Sequence, residues 1–154
     1  MTEQELIEKG LIPKDVDLCY LYDNGFEYNV NGKSTLKLLD GMVLCESMDD
    51  CCLYKGGFYC RINGKCTLKL LDGTVLCEDV DYCYLYDNGF EYEVDGKRTL
   101  KLLDGTVLCE DVDDCWLYDK GFRYNVNGKS IFKAFWRNGY LRLKEGKKMK
   151  SRKC

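Results

Sequence analysis

Residues 77–83 read Cys-Glu-Asp-Val-Asp-Tyr-Cys, placing two thiols, three carboxylates and a phenol within seven positions. Thiolate and carboxylate oxygens in such density are the raw material of a metal site. The same frame returns as CESMDDC at 45–51 and CEDVDDC at 109–115. The two cysteines are separated by five residues, beyond the two to four usual in a zinc knuckle, and the chain has no histidine. A metal held by the thiols with Asp79 or Asp81 is the chemical alternative. The expectation is a structural one: core cysteines that end one segment and begin the next around an acidic connection, with no metal and no cofactor.

The second copy of the pattern carries more sulfur. Cys52, Cys60 and Cys66 stand where the first copy has Tyr20, Tyr28 and Ser34. Cys60 and Cys66 are expected on one face beside a single hairpin, where they can form a local disulfide or share a metal with Cys51 or Cys77. Cys154 is read as an exposed thiol.

Other chemistries lack their parts. Without histidine there is no Ser-His or Cys-His pair and no ordinary imidazole base. No glycine-rich phosphate loop occurs. Carboxylate pairs such as Asp49/Asp50 and Asp113/Asp114 fall in connections, where acidic residues stay wet. The chain is not expected to be an enzyme.

The elements that carry these residues follow a ruler of 32 positions. Cys19, Cys51, Cys83 and Cys115 obey it, as do Gly25, Gly57, Gly89 and Gly121, and Phe26, Phe58, Phe90 and Phe122. TLKLLDG appears unbroken at 35–41, 67–73 and 99–105. Four tandem copies follow without insertion. Thr2 and Glu5 resemble a capping box, so 3–9 is read as a short helix. In the fourth copy FKAFWRNGYLRL replaces the common pattern, as terminal repeats tend to differ.

Asn88-Gly89, Asp95-Gly96 and Asp104-Gly105 mark turns. They predict four short strands near 82–86, 90–94, 98–103 and 106–110. A two-residue turn at Asn88-Gly89 sets Leu85 opposite Tyr92. A three-residue turn at 95–97 sets Phe90 opposite Leu102 and Glu91 opposite Lys101. A third turn sets Leu102 opposite Val107 and Leu100 opposite Cys109. Together they predict one apolar face of Cys83, Leu85, Phe90, Tyr92, Val94, Leu100, Leu102, Val107 and Cys109. The opposite face carries Tyr20, Tyr22, Tyr54, Tyr84, Tyr86, Trp116 and Tyr118 at the same interval, with Glu91 and Glu93 between. Both faces hold apolar area, so one copy is too small to stand alone and must share its core.

The expected fold is all-β: four tandem 32-residue antiparallel meander repeats stacked as an open array, with a small four-bladed propeller as the alternative. Residues 1–18 form an N-terminal cap of a short helix and the strand leading in, 19–143 the repeat domain, and 144–154 a basic tail.

Net charge is −3, but residues 142–154 hold seven Lys or Arg and one Glu, leaving −9 on 1–141. No membrane span or export signal is visible, so a cytoplasmic, reducing location is expected, with mostly free thiols. The composition favours a non-catalytic protein-binding module whose partner has a basic surface. A concrete version is an inhibitor that fills the basic groove of a nucleic-acid enzyme, as a host or phage defence antagonist would. Its anchors would be the Tyr/Trp strip, Trp136, Glu91 and Glu93. One alternative is nucleic-acid binding through Arg137, Arg142, Lys144, Lys147, Lys148, Lys150, Arg152 and Lys153. Glycan binding on the repeated aromatics is another.

Overall fold

Asp95 and Gly96 have φ of 52° and 80°, so both occupy the left-handed region. Two such residues in succession make a type I′ turn, whose twist matches that of paired strands. Asn31-Gly32, Asn63-Gly64 and Asn127-Gly128 repeat it. In the computed structural model, which describes residues 1–136 and 139–145, these turns sit at the centre of four antiparallel meanders.

After helix α1 (Glu3–Glu8), the first sheet holds β1 (Leu18–Leu21), β2 (Gly25–Val30), β3 (Lys33–Leu38) and β4 (Val43–Met48). The second holds β5 (Asp50–Leu53), β6 (Gly57–Ile62), β7 (Lys65–Leu70) and β8 (Val75–Val80). The third holds β9 (Tyr82–Leu85), β10 (Gly89–Val94), β11 (Lys97–Leu102) and β12 (Val107–Val112). The fourth holds β13 (Asp114–Tyr118), β14 (Gly121–Val126), β15 (Lys129–Trp136) and β16 (Gly139–Glu145). Strands lie in chain order in every sheet, and none of the sheets closes into a barrel. The four-copy, all-β organisation is therefore as the sequence predicts.

The pairing differs from expectation in an instructive way. The first hairpin turns one residue earlier, on Asp87-Asn88 instead of Asn88-Gly89, with Tyr86 N donating to Gly89 O, and it pairs Leu85 with Phe90 and Cys83 with Tyr92. That shift of two residues leaves each side chain on its expected face. The second hairpin turns on two residues rather than three, pairing Val94 with Lys97 and Glu91 with Leu100. That is a shift of one, and it moves Leu100 to the face of Glu91 instead of that of Phe90. Leu100 pairs with Cys109 as expected, but a bulge then sets Lys101, not Leu102, opposite Val107. A separate irregularity, between the Arg98–Val112 and Leu100–Cys109 pairs, contains Asp111 with φ of 58°, and Ser47 and Asp79 have the same conformation in the preceding copies. The expected nine-residue apolar face is thus split between two faces, while Val94 and Val107 are exposed.

Two compact units result, Met1–Asp79 and Val80–Cys154. In the first, Leu6 of α1 and Ile12 are buried with Phe26, and Cys19 and Tyr28 pack beside them. A full capping box starts the helix: Glu5 N donates to Thr2 Oγ1 at 3.2 Å and Thr2 N to Glu5 Oε2 at 3.0 Å. Leu36, Leu38 and Cys45 of the first sheet meet Cys51, Leu53 and Phe58 of the second. The second unit repeats the arrangement: Leu100, Leu102 and Cys109 meet Cys115, Leu117 and Phe122.

Gly89 shows why the ruler is strict. A Cβ there would lie 2.3 Å from the carbonyl oxygen of Lys101 and 2.5 Å from Leu117 Cδ2. The notch left by the missing side chain receives a leucine of the following sheet. Gly25 receives Leu53 in the same way. At Gly121 the tip of Phe132, in the same sheet, stands over the notch instead.

Candidate functional site

The acidic connections are stitches. In the second unit Asp113 lies between β12 and β13. Its Oδ2 accepts from Asn127 N at 3.1 Å, steadying the type I′ turn of its own sheet, and its Oδ1 pairs with Lys97 Nζ at 2.6 Å. Asp49 does the same in the first unit, accepting from Asn63 N and pairing with Lys33. Hydrogen bonds from the lysines, then from the turn amides, hold both carboxyls below the usual range. Asp17 and Asp81 accept from Asn31 N and Asp95 N. These side chains point at turns and lysines, away from the thiols, and among the described residues no group of three or more His, Cys, Asp or Glu is placed to hold a metal ion.

Among the described residues nine cysteines carry free thiols, and Cys52 is disulfide-bonded. The pleat divides the four for which a shared site was considered. Cys51 pairs with Cys60, whereas Cys66 pairs with Arg61, so Cys60 and Cys66 project from opposite faces of the second sheet. Arg61 Nε donates to Cys66 Sγ at 3.1 Å. A local Cys60–Cys66 disulfide is excluded by that alternation. The expectation of a common face failed for the same reason as the register: the turn before Cys66 has two residues.

Two carboxylates lie inside the molecule. Glu91 is 0% exposed and receives Arg98 Nη1 at 3.1 Å, the phenol of Tyr86 and the thiol of Cys115 at 3.5 Å. Arg98 also reaches Glu93 at 3.0 Å and Asp114 at 2.9 Å. Glu27 occupies the same place in the first sheet, with the Tyr22 phenol and the Cys51 thiol on its oxygens. It has Ser34 where the third copy has Arg98, and burial pushes its carboxyl up against those two hydrogen bonds. Tyr22 is pushed up as well, by burial first and then by its bond to Glu27. This arrangement neutralises charge in an interior between sheets. Sequence reasoning missed Arg98 altogether; its sole signal was an arginine where other copies have Ser or Cys.

The strip expected to bind a partner is therefore divided. Glu91 is interior, and Tyr22 and Tyr86 spend their hydroxyls on buried carboxylates. Glu93 is half-buried against Arg98, and Tyr54, Tyr84 and Trp116 are half-buried. Tyr20 and Tyr118 are open to solvent, Tyr20 at 54%. The side chains of Trp136, Arg142 and Lys144, and the whole of Arg137, Lys147, Lys148, Lys150, Arg152 and Lys153, lie outside the described residues.

Exposed apolar area concentrates elsewhere. Val43, Val75 and Val107 stand at one position of the last hairpin and are 48%, 46% and 45% exposed. Leu39 and Leu103 accompany them. Asp40, Asp72 and Asp104 fix the same hairpins by accepting from the amides of Met42, Thr74 and Thr106 at 2.9 Å. Each copy so far described by this hairpin presents an aliphatic step beside a carboxylate.

No family model and no curated protein matches the chain. Among solved structures it is similar to Kluyveromyces lactis Hsv2, at 10% identity and a TM-score of 0.46 over 85% of this chain and 52% of that one. It is also similar to PorZ of Porphyromonas gingivalis, at 11% identity and a TM-score of 0.35 over 80% of this chain and 20% of that one. The chain spans about half the length of the Hsv2 chain. No family follows from likeness at this level. No helix among the described residues is long and apolar enough to cross a membrane.

Proposed function

We propose that the chain is a non-catalytic protein-binding repeat module that engages a basic partner surface. The observation that carries this reading is the recurrent exposed step of Val43, Val75 and Val107 beside Asp40, Asp72 and Asp104. Repeats multiply one such contact, and solvent-facing apolar side chains recurring at one structural position mark interaction surfaces. The −9 carried by residues 1–141 supplies long-range attraction to a basic partner. An acidic inhibitor seated in the basic groove of a nucleic-acid enzyme is the finer form of the proposal.

The test is affinity capture from lysate of the native host, with and without nuclease treatment, with wild-type protein beside a Val43→Lys/Val75→Lys/Val107→Lys variant and a deletion of 142–154. The proposal expects a protein retained by the wild type and by the deletion, weakened by salt, and lost with the triple variant. Recovery of nucleic acid, or loss only with the deletion, overturns it.

A further inference from the structure

Two positions of the 32-residue ruler lose their cover, one in the first copy and one in the last. Leu21 stands where later copies have Leu53, Leu85 and Leu117, yet it is 48% exposed and they are 5%, 6% and 6% exposed. Leu53 and Leu117 lie over the glycine notch of the preceding sheet. No sheet among the described residues precedes β1, and α1 buries Phe26 while Leu21 stays in water. Phe132 is the second position. It is half-buried, whereas Leu36, Leu68 and Leu100 of the earlier copies have no exposed surface.

The face of Phe132 on the fourth sheet also carries Trp116, Tyr118, Arg123 and Asn125. Arg123 stands where Glu27 and Glu91 lie buried in their own copies. Its guanidinium lies 6.0 Å from the Phe132 ring centre. Its Nε and the Oδ1 of Asn125 are screened from water and have no hydrogen-bond partner. Folded proteins leave few such groups unpaired, so this face lacks an acceptor for Arg123.

We propose that this face receives helix α1 and the exposed Leu21 of a second copy of the chain, joining copies head to tail. Three observations select that occupant. Glu3, Glu5 and Glu8 of α1 are exposed, and its last turn has no basic residue, so the helix brings carboxylates that can accept from Arg123. The charge of the chain is divided in the same sense: residues 114–154 hold 12 Lys or Arg against 3 Asp or Glu, a net +9, and residues 1–113 hold 11 against 23, a net −12. Within each unit the repeat already buries this kind of face against its successor, Leu36 against Leu53 and Leu100 against Leu117. Leu21 and Phe132 are the members of that pairing left uncovered in a single chain. The two surfaces differ, so the contact is heterologous, and a chain that has used one surface still offers the other.

Sedimentation velocity of the full chain tests this. The wild type is expected to associate increasingly as concentration rises to about 100 μM and less as salt is added. Arg123→Glu damages the receiving face and Leu21→Lys the entering one. Each is expected to raise the dissociation constant at least about tenfold, leaving monomer where the wild type associates. Tyr118→Lys, at a side chain 38% exposed, replaces Arg123→Glu if circular dichroism shows that variant unfolded. Mixed in equal amounts, the receiving-face variant and Leu21→Lys are expected to form a dimer and nothing larger, because one keeps the entering surface and the other the receiving surface. A wild type that stays monomeric, folded variants that associate as the wild type does, or a mixture that stays monomeric overturns the proposal.

Discussion

The guanidinium of Arg98 donates to the carboxylate of Glu91 at 3.1 Å, and Glu91 has no solvent-exposed surface. A cation on β11 thus neutralises an anion on β10 in the interior of the second unit. Arg98→Met leaves that carboxylate uncompensated and is expected to cost about 3 kcal/mol in urea unfolding. Glu91→Gln, which retains a hydrogen-bonding group for Tyr86, should cost less. The double variant Glu91→Leu/Arg98→Met should recover much of the loss, because neither charge is then stranded. Additive costs in that cycle would contradict a direct pairing.

Glu27 is the same residue without the arginine. No basic side chain among the described residues pairs with it, and burial raises its carboxyl above the usual carboxylate range. A folded-state value above the unfolded one means its contribution is fully present below the unfolded value and is lost as pH rises through the folded one. Asp49, Asp72, Asp104 and Asp113 are shifted downward and act in the opposite sense, losing their contribution as pH falls. Comparison with Glu27→Gln isolates the buried group. The variant's gain in thermal midpoint over wild type should be larger at neutral pH than in mild acid. A gain that does not change with pH would show that Glu27 titrates normally.

The aliphatic steps should be dispensable for folding. Val43→Lys, Val75→Lys and Val107→Lys replace side chains that are nearly half exposed, and each is expected to change stability by less than about 0.5 kcal/mol. Coincident unfolding curves for wild type and the triple variant check this. A large loss would assign these valines to the core and remove them from the proposed binding surface.

The sequence shows the repeat length directly, because the cysteines, glycines and phenylalanines recur at one interval. The turns at Asp95-Gly96 and Asp104-Gly105 are legible too, whereas Asn88-Gly89 misplaces its turn by one residue, since Gly89 already opens β10. The register is not legible. Alternation pins a strand when one face is wet, but Phe90 on one face and Leu100 on the other are both buried here. Either register therefore satisfies the apolar pattern, and the choice falls to the turn type at Asp95-Gly96. The cross-strand pairing of Glu91 with Lys101 favoured the wrong answer, since Glu91 finds its cation in Arg98 instead. Contacts between sheets, such as Cys115 with Glu91 or Leu117 with Gly89, lie beyond any within-strand pattern.

One packing rule appears in both units: Leu53 of the second sheet seats in the Gly25 notch of the first, and Leu117 of the fourth sheet in the Gly89 notch of the third. Urea unfolding of Gly89→Ala beside Gly56→Ala tests that rule most directly. At Gly89 an added Cβ meets Leu117 and the Lys101 carbonyl, whereas at Gly56 it meets nothing within 4 Å. The expected result is a loss of about 1–3 kcal/mol for Gly89→Ala and no loss for Gly56→Ala. Equal stability of the two variants would contradict it.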